Sequence, residues 1–371
     1  MQFNLYIFNQ LLRTTLALTS VLVGIIWLFQ TIRILELVVN RGAAVGDFLV
    51  MSVASMPLWL MIAIPISGFI AVNWVFSRIL ADRELLVMQS IGLSPLQLAK
   101  APIALGVLLT AFLAVNTVYI LPTSFGVYKD LQFKLRNSIP TILLRDGVFI
   151  EFVDDMTMFI GSRADDDIMR DLFIHDARIA DRIITMTAQS GEFIERDGSP
   201  TLILQNGERS ERNAEGQSGA VLLFDTHSVT ITRNSSQQTE RATIDINEDS
   251  ISNLLSPDAA QSPQYYLQRH AEGHYRIASP WLGLGLALLS AAIILRGQIR
   301  RDLWTRRASL NIGGCVLVII AVVISRGWVT NNANLWPFIH LSVLAPIIIA
   351  FWLLRQPRET IDATGQNEAL T

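Results

Sequence analysis

The sequence predicts an α-helical membrane protein with six transmembrane helices and an all-β domain inserted after the third helix. Three observations predict this architecture. The 371 residues are 51% hydrophobic and only 16% charged, with a mean hydropathy of +0.40, which is too apolar for a soluble protein and too polar for a purely membrane-embedded chain. Six apolar runs are long enough to cross a bilayer. Between the third and fourth runs, short alternating segments are separated by turn signals.

The six apolar runs are arranged as three, a large insert, and three more. They lie at approximately Leu11–Val38, Phe48–Phe76, Pro95–Leu121, Pro280–Ile299, Ala308–Val329 and Trp336–Leu354. The first run follows neither a basic n-region nor a small-residue cleavage site, so we expect a retained span. We therefore divide the chain into residues 1–124 with three spans, 125–262 with the β domain, and 263–371 with three spans and a short tail.

The distribution of charge predicts the orientation. Residues 129–276 contain 24 Asp and Glu against 15 Lys and Arg, whereas the rest of the chain is basic. The loop between the fourth and fifth runs carries one acid and five arginines, which are Arg296, Arg300, Arg301, Arg306 and Arg307. The positive-inside rule places this loop, the connector at 77–100 and both termini in the cytoplasm, and the insert on the opposite side of the membrane. No basic groove indicates a nucleic-acid partner.

The insert is predicted to form eight or more short strands, as in a sandwich or jelly roll. Turns are expected at Asp146-Gly147, Asp197-Gly198 and Asn206-Gly207, since these dipeptides favour tight turns. The acidic run at 165–167 is interpreted as a solvated turn because it lacks the glycine and the terminal glutamate of a calcium loop.

The connector between the second and third spans is predicted to contain a short helix at about residues 82–92. Gly92 suits the left-handed residue after a helix, and Ser94-Pro95 suits the start of the next one. One face, with i, i+3, i+4 and i+7 spacing, is formed by Glu84, Val87, Met88 and Ile91. Two interpretations are open, which are docking into a groove of another protein and lying flat in the lipid headgroup region.

Motifs for catalysis and for cofactor binding are missing from the sequence. It has only three lysines, none after a glycine, so it contains no P-loop, and it has no HExxH and no GxSxG. We predict a non-catalytic chain that binds no cofactor or metal of its own. His270 and His274 have i, i+4 spacing beside Glu272, and a polar helix at the membrane boundary is favoured there over a metal site. Cys315 is alone in an apolar run and is interpreted as a small hydrophobe.

Charged residues at membrane depth are costly and therefore informative. Arg33 lies near the outer end of the first span. It either pairs with Glu36 at i, i+3 or faces a cavity, where its guanidinium suits an anionic headgroup or phosphate. Arg276 and Arg326, near the outer ends of the fourth and fifth spans, are weaker candidates for the same role, with snorkelling as the alternative.

Four features resemble the LptF/LptG (YjgP/YjgQ) family of permeases of the lipopolysaccharide-export ABC transporter. They are FQTIRILELVVNRG at Phe29–Gly42, ADRELLVMQSIGLSPLQLAKAP at Ala81–Pro102, AEGHYRIASPWLGLGLALL at Ala271–Leu289, and the three-plus-three topology with its β insert. The resemblance covers nearly the whole chain. The IRIL segment around Arg33 is closer to the LptF side of the family.

The resemblance implies a permease subunit that extracts lipopolysaccharide from the inner membrane and passes it to a periplasmic bridge. A separate ATPase, LptB, would bind ATP and Mg²⁺ and receive the coupling helix at Glu84. The paralogous permease LptG would complete a heterodimer whose first and fifth spans form lateral gates, and Arg33 would meet lipopolysaccharide phosphates.

For the insert, the resemblance implies a periplasmic β-jellyroll that passes the lipid to LptC and then LptA. Inward side chains would line that route or form an ordinary sandwich core; they are Ile150, Phe152, Phe193 and Phe224. Two other classes remain open at this point. A MacB/FtsX-like mechanotransmitting permease would carry its large domain after the first span, and a membrane-anchored receptor would need a cytoplasmic output domain.

Overall fold

The computed structural model describes residues 2–41, 44–137, 146–153, 155–163, 168–179, 182–196, 199–213, 218–230, 244–257, 262–296 and 304–355. Two compact units are formed. The first comprises Met1–Thr31, Ser52–Tyr128 and Asp245–Thr371, and the second comprises Ile32–Met51 and Lys129–Ile244.

Helices account for both flanks of the chain. Before the insert they are α1 (Gln2–Arg41), α2 (Val45–Ala81), α3 (Glu84–Ser90), α4 (Pro95–Leu98), α5 (Lys100–Val115), a π-helical turn (Asn116–Ile120) and α6 (Leu121–Asn137). After it they are α7 (Ile251–Leu255), α8 (Pro263–Ala278), α9 (Leu282–Arg296), α10 (Trp304–Val329) and α11 (Pro337–Arg355). Short 3₁₀ turns at Ser279–Trp281 and Ala333–Leu335 precede α9 and α11.

The predicted six spans are confirmed within the described residues. Helices long and apolar enough to cross a membrane cover Phe3–Leu35, Val45–Ala81, Lys100–Leu135, Pro263–Arg296, Ser309–Val329 and Ala333–Arg355. The fourth begins 17 residues before the predicted Pro280, because the polar helix α8 runs into the apolar α9 through a single 3₁₀ turn. Hydropathy alone finds only the apolar half of this continuous element.

Close packing of α5 against α9 forms the centre of the helical unit. A Cβ on Gly106 would lie 2.8 Å from the Leu284 Cα, and one on Gly283 would lie 3.1 Å from the Leu109 Cβ. Glycines at these two positions therefore let the two backbones approach each other, as small residues do between membrane helices. The helix α9 is buried along most of its length.

The proline-containing helix α2 is tied to the third span by one buried hydrogen bond. Asn116, which begins the π-helical turn, donates from Nδ2 to the Pro57 carbonyl at 2.9 Å. A buried amide needs such a partner, so this contact joins α2 at Pro57 to the π-helical turn of the third span.

The insert contains one antiparallel sheet in the described residues. Its strands pair in chain order, as β1 (Phe149–Val153), β2 (Met156–Arg163), β3 (Met169–Ile179), β4 (Arg182–Arg196), β5 (Ser199–Asn213) and β6 (Ser218–Thr230). The described strands are fewer and longer than the eight or more expected. The expected turn at Asn206-Gly207 is wrong, because both residues lie inside β5, where Asn206 has a φ of +52°.

Gly207 explains why a turn-like dipeptide is found inside a strand. A Cβ there would overlap the Thr187 carbonyl of β4 and lie 2.6 Å from the Phe224 ring of β6. The Phe224 ring therefore crosses the sheet over a position where only glycine fits. The sheet's buried side chains come from β2 to β6, and they are Met156, Met158, Ile160, Met169, Leu172, Ile174, Met186, Ala188, Leu202, Leu204 and Val229.

Candidate functional site

The short helix α3 is held to the helical unit by a buried leucine. Leu85 is 1% exposed and belongs to the main hydrophobic core, and Met88, one turn later, is half-buried against the same core. Glu84 is exposed, and Val87 and Ile91 are 59% and 76% exposed. Of the four residues predicted to share one face, three are thus exposed, while Met88 packs inward.

Both ends of this connector have the predicted capping chemistry. Gly92 has a φ of +89°, and the Leu93 N–H donates to the Met88 carbonyl at 3.3 Å, which is the 6→1 bond of a Schellman motif. Ser94 and Gln97 form a reciprocal capping box at the start of α4, with Pro95 at the first helical position. These caps fix the connector's backbone, so the exposed α3 side chains are presented on a defined turn.

The beginning of the fourth span carries a buried network of charges, at the end of the unit opposite α3. Arg276 is 0% exposed and its Nε donates to Glu272 Oε1 at 3.1 Å. Its other nitrogens donate to the Asp249 carbonyl at 2.9 Å and to the Ile246 carbonyl at 2.7 Å. Arg276 is therefore enclosed by protein, and it joins the segment before α7 to α8.

The second predicted cation, Arg326, reaches the same carboxylate from α10. Its Nη2 lies 2.6 Å from Glu272 Oε2, and its guanidinium lies over the Tyr275 ring at 4.9 Å. The Arg326 side chain is 44% exposed, whereas the Glu272 side chain is 3% exposed. Glu272 therefore lies between one enclosed and one accessible guanidinium.

Sequence reasoning missed the remaining members of this network. Arg269, on α8 one turn before Glu272, forms an ion pair with Asp249, and both side chains are buried. The i, i+3 or i+4 spacing of Arg269, Glu272 and Arg276 along α8 is a signal that could have indicated one charged face. The contribution of Asp249 comes from a separate segment and has no such local pattern.

Histidines and aromatic rings surround the start of α11. His274 Nδ1 lies 3.2 Å from His340 Nε2, and the His274 ring stacks on Trp336 at 4.7 Å. His270 meets the His274 ring edge to face at 4.6 Å. Among the described residues, no group of three or more His, Cys, Asp or Glu side chains is arranged to hold a metal ion. The contacts instead join α8 to α11.

Arg33 lies in the second compact unit, on the part of α1 after Thr31, and it is exposed. The predicted alternative, pairing with Glu36, involves a side chain outside the described ones.

Three of the four predicted lipid-route residues lie on the apolar side of the sheet. Ile150 is half-buried and pairs with the buried Met158. Phe193 and Phe224 are partly buried against the sheet's core cluster. Phe152 lies in β1, and its side chain is outside the described ones.

These features define a polytopic membrane protein with six spans, an extramembrane β-sheet unit between the third and fourth spans, and an exposed short helix between the second and third. The model of the lipopolysaccharide export system permease LptF/LptG family matches residues 5–356. The chain therefore belongs to the LptF/LptG family of lipopolysaccharide export permeases, whose members are multi-pass inner-membrane proteins.

The chain is also similar to individual proteins. The chain is 27% identical over 358 residues to the uncharacterized protein RP871 of Rickettsia prowazekii (strain Madrid E), covering 95% of this chain and 98% of the relative. It is 24% identical over 212 residues to the lipopolysaccharide export system permease protein LptF of Escherichia coli (strain K12). That second match covers 56% of this chain and 58% of the relative.

Proposed function

We propose that this chain is the LptF-like permease subunit of an ABC transporter that extracts lipopolysaccharide from the inner membrane and passes it to a periplasmic bridge. The observation that supports this role best is the geometry of α3. Buried Leu85 anchors a helix that exposes Glu84 and Val87, and Ile91 is exposed directly after its last residue. Such a surface suits helix-in-groove docking onto a cytoplasmic ATPase.

In this proposal the energy source is separate from the permease. The partner ATPase, LptB, binds ATP and Mg²⁺ and moves α3 as it closes, while this chain binds no cofactor. A paralogous permease, LptG, completes the membrane cavity. The arginines between the fourth and fifth spans favour a cytoplasmic location for α3 and both termini, and so a periplasmic location for the β unit.

The substrate interactions in this proposal use two kinds of surface. Arg33 and the accessible Arg326 bind lipopolysaccharide phosphates, since a guanidinium binds phosphate through paired, charge-assisted hydrogen bonds. Arg276 is enclosed by protein, so its guanidinium holds Glu272 and is not available to the lipid. The apolar side of the sheet, including Phe193 and Phe224, guides the acyl chains toward LptC and LptA.

The test is co-purification of the tagged chain from its native membrane, followed by reconstitution. We expect the ATPase, a paralogous permease and lipopolysaccharide to accompany it. Glu84→Arg is expected to leave the membrane subunits assembled while it uncouples ATP hydrolysis from lipid release. Asp82→Arg is the matched control, since Asp82 is exposed, lies outside α3 and makes a surface ion pair with Arg78 at 3.7 Å.

Two results would count against the proposal. A monodisperse preparation that contains neither an ATPase nor a second permease would remove the transporter assignment. A Glu84→Arg complex that hydrolyses ATP and releases lipid at the wild-type rate would remove the docking role of α3 and leave the family assignment intact.

A further inference from the structure

Glu272 has two cationic partners that differ in how firmly they are held. Arg276 lies on the same helix, is fully enclosed, and has two further hydrogen bonds to the carbonyls of Asp249 and Ile246. Arg326 comes from a different helix, α10, and is 44% exposed. Although Arg326 Nη2 is 2.6 Å from Oε2, this oxygen accepts no well-aligned hydrogen bond within the described residues. The contact with Arg276 is therefore held by hydrogen bonds, whereas the contact with Arg326 is an ion pair without an aligned hydrogen bond.

This difference determines what happens if Arg326 leaves. Removing the only partner of a buried carboxylate is strongly unfavourable, because it leaves an uncompensated charge in a medium of low polarity. Glu272 avoids that penalty, since Arg276 remains bonded to Oε1. The departing guanidinium also has another contact available on the face of Tyr275.

We propose that Arg326 exchanges between Glu272 and a phosphate group of an anionic lipid, so that Glu272 is the resting counter-ion of the phosphate-binding arginine. This inference rests on the proposed function and adds a residue that controls it. With no lipid bound, Glu272 occupies Arg326 and links α8 to α10. A lipid phosphate displaces the carboxylate, because two oxygens can meet the guanidinium together, and the link between α8 and α10 is released.

A resting counter-ion has a signature that a supporting residue does not have. If Glu272 competes with the phosphate, neutralising it by Glu272→Gln raises the affinity for a phosphorylated lipid. If Glu272 only positions Arg326, the same change lowers the affinity or leaves it unchanged. The amide of Gln keeps an oxygen that can accept from Arg276 Nε, so Glu272→Gln is the mildest change that removes the charge.

The experiment uses the complete transporter complex in nanodiscs. Native mass spectrometry measures its affinity for lipid A that carries two phosphates and for the same lipid without phosphates. We expect Glu272→Gln to tighten binding of the phosphorylated lipid by roughly 1.5- to fivefold, the range for a partly exposed ion pair. Arg326→Gln should abolish the preference for the phosphorylated lipid. In the double variant, Glu272→Gln should have no further effect.

Three results would overturn the inference. The first is an affinity that is unchanged or lowered in Glu272→Gln, and the second is an equal gain for the dephosphorylated lipid. The third is an undiminished preference for the phosphorylated lipid in Arg326→Gln. This variant decides the question if Glu272→Gln fails to assemble. A further arm with inorganic phosphate as competitor separates recognition of the lipid from recognition of free phosphate. If the wild-type complex binds neither lipid, it is the proposed function that fails.

Discussion

Leu85→Ala is the change that should separate the anchoring of α3 from its docking surface. Leu85 is 1% exposed in the main core, whereas Val87, two residues later, is 59% exposed. Helix α3 has seven residues, and a helix this short is not stable without tertiary contacts. Truncating Leu85 should therefore release the whole helix and not merely leave a cavity.

The magnitude follows from the burial of the side chain. Replacing a buried leucine by alanine costs about 2–5 kcal/mol. A cost of about 2.7 kcal/mol raises the equilibrium constant for detachment of α3 about 100-fold. Backbone amides of α3 should then exchange with solvent up to about 100-fold faster. Val87→Ala should leave their exchange unchanged and weaken only binding of the ATPase.

Hydrogen–deuterium exchange of the complex, with and without ATPase, measures both effects. Leu108→Ala is the control, since it makes the same chemical change at a 44% exposed position of α5. Unchanged exchange of α3 amides in Leu85→Ala would refute the reasoning, because it would mean that Leu85 does not anchor the helix. Faster exchange in Val87→Ala would show that the exposed face, too, is held by the permease itself.

Three further changes test the backbone and the charges. Gly92→Ala should fray the end of α3, with a cost of about 1 kcal/mol for a side chain at a φ of +89°, measured by amide exchange at residues 88–91. Gly207→Ala should separate β5 from its neighbours, because a methyl group overlaps β4 and the Phe224 ring, with an overpacking cost of about 1–3 kcal/mol, measured by proteolysis of the insert. Burial disfavours the charged form of Asp176, but hydrogen bonds from Arg178 outweigh it and hold the Asp176 pKa below its usual 3.8. The contribution of the charged Asp176 to the stability of the insert is therefore present above pH 3.8 and is lost as the pH falls further.

Each of these three predictions has a result that would contradict it. Wild-type exchange in Gly92→Ala would mean that the backbone turn is not fixed by glycine. An undisturbed sheet in Gly207→Ala would mean that the Phe224 ring can move aside. For the acid response, the insert of Asp176→Asn should start less stable and lose less on acidification, as followed by pepsin cleavage. The same acid sensitivity in both proteins would remove Asp176 as its source.

Local chemistry explains which parts of the fold could be predicted. Gly92 and the Ser94-Pro95 pair determine their own backbone conformations through sterics and capping, so the stop of α3 before Gly92 and the start of α4 at Pro95 are predicted correctly, whereas α3 begins at Glu84 and not at residue 82. The spans were found because about 20 apolar residues suffice. The apolar run of the fourth span begins only at Pro280, since α8 is polar and is buried through its contacts with α7, α10 and α11.

Long-range contacts explain what the sequence could not predict. The Asn206-Gly207 pair has the local signal of a hairpin, but pairing with β4 and β6 on both sides keeps it within β5. Arg276 and Arg326 look equivalent in the sequence, as arginines near span ends. Arg276 is enclosed because it donates to the carbonyls of Ile246 and Asp249, which lie about 30 residues earlier in the chain. Arg326 is accessible, and nothing in the local sequence distinguishes the two.

The surface of α3 and the network around Glu272 are linked by one continuous packed element. Helices α8 and α9 run from Glu272 to Leu295 with only a 3₁₀ turn between them, and α9 is buried along most of its length. At its far end, Leu295 shares the main core with Leu85 and with Leu98 of α4. Because close-packed interiors transmit strain, a force applied to α3 has a direct mechanical route to the residue that pairs with Arg326. The carboxylate at the end of this route stays paired when Arg326 leaves, since Glu272 retains Arg276.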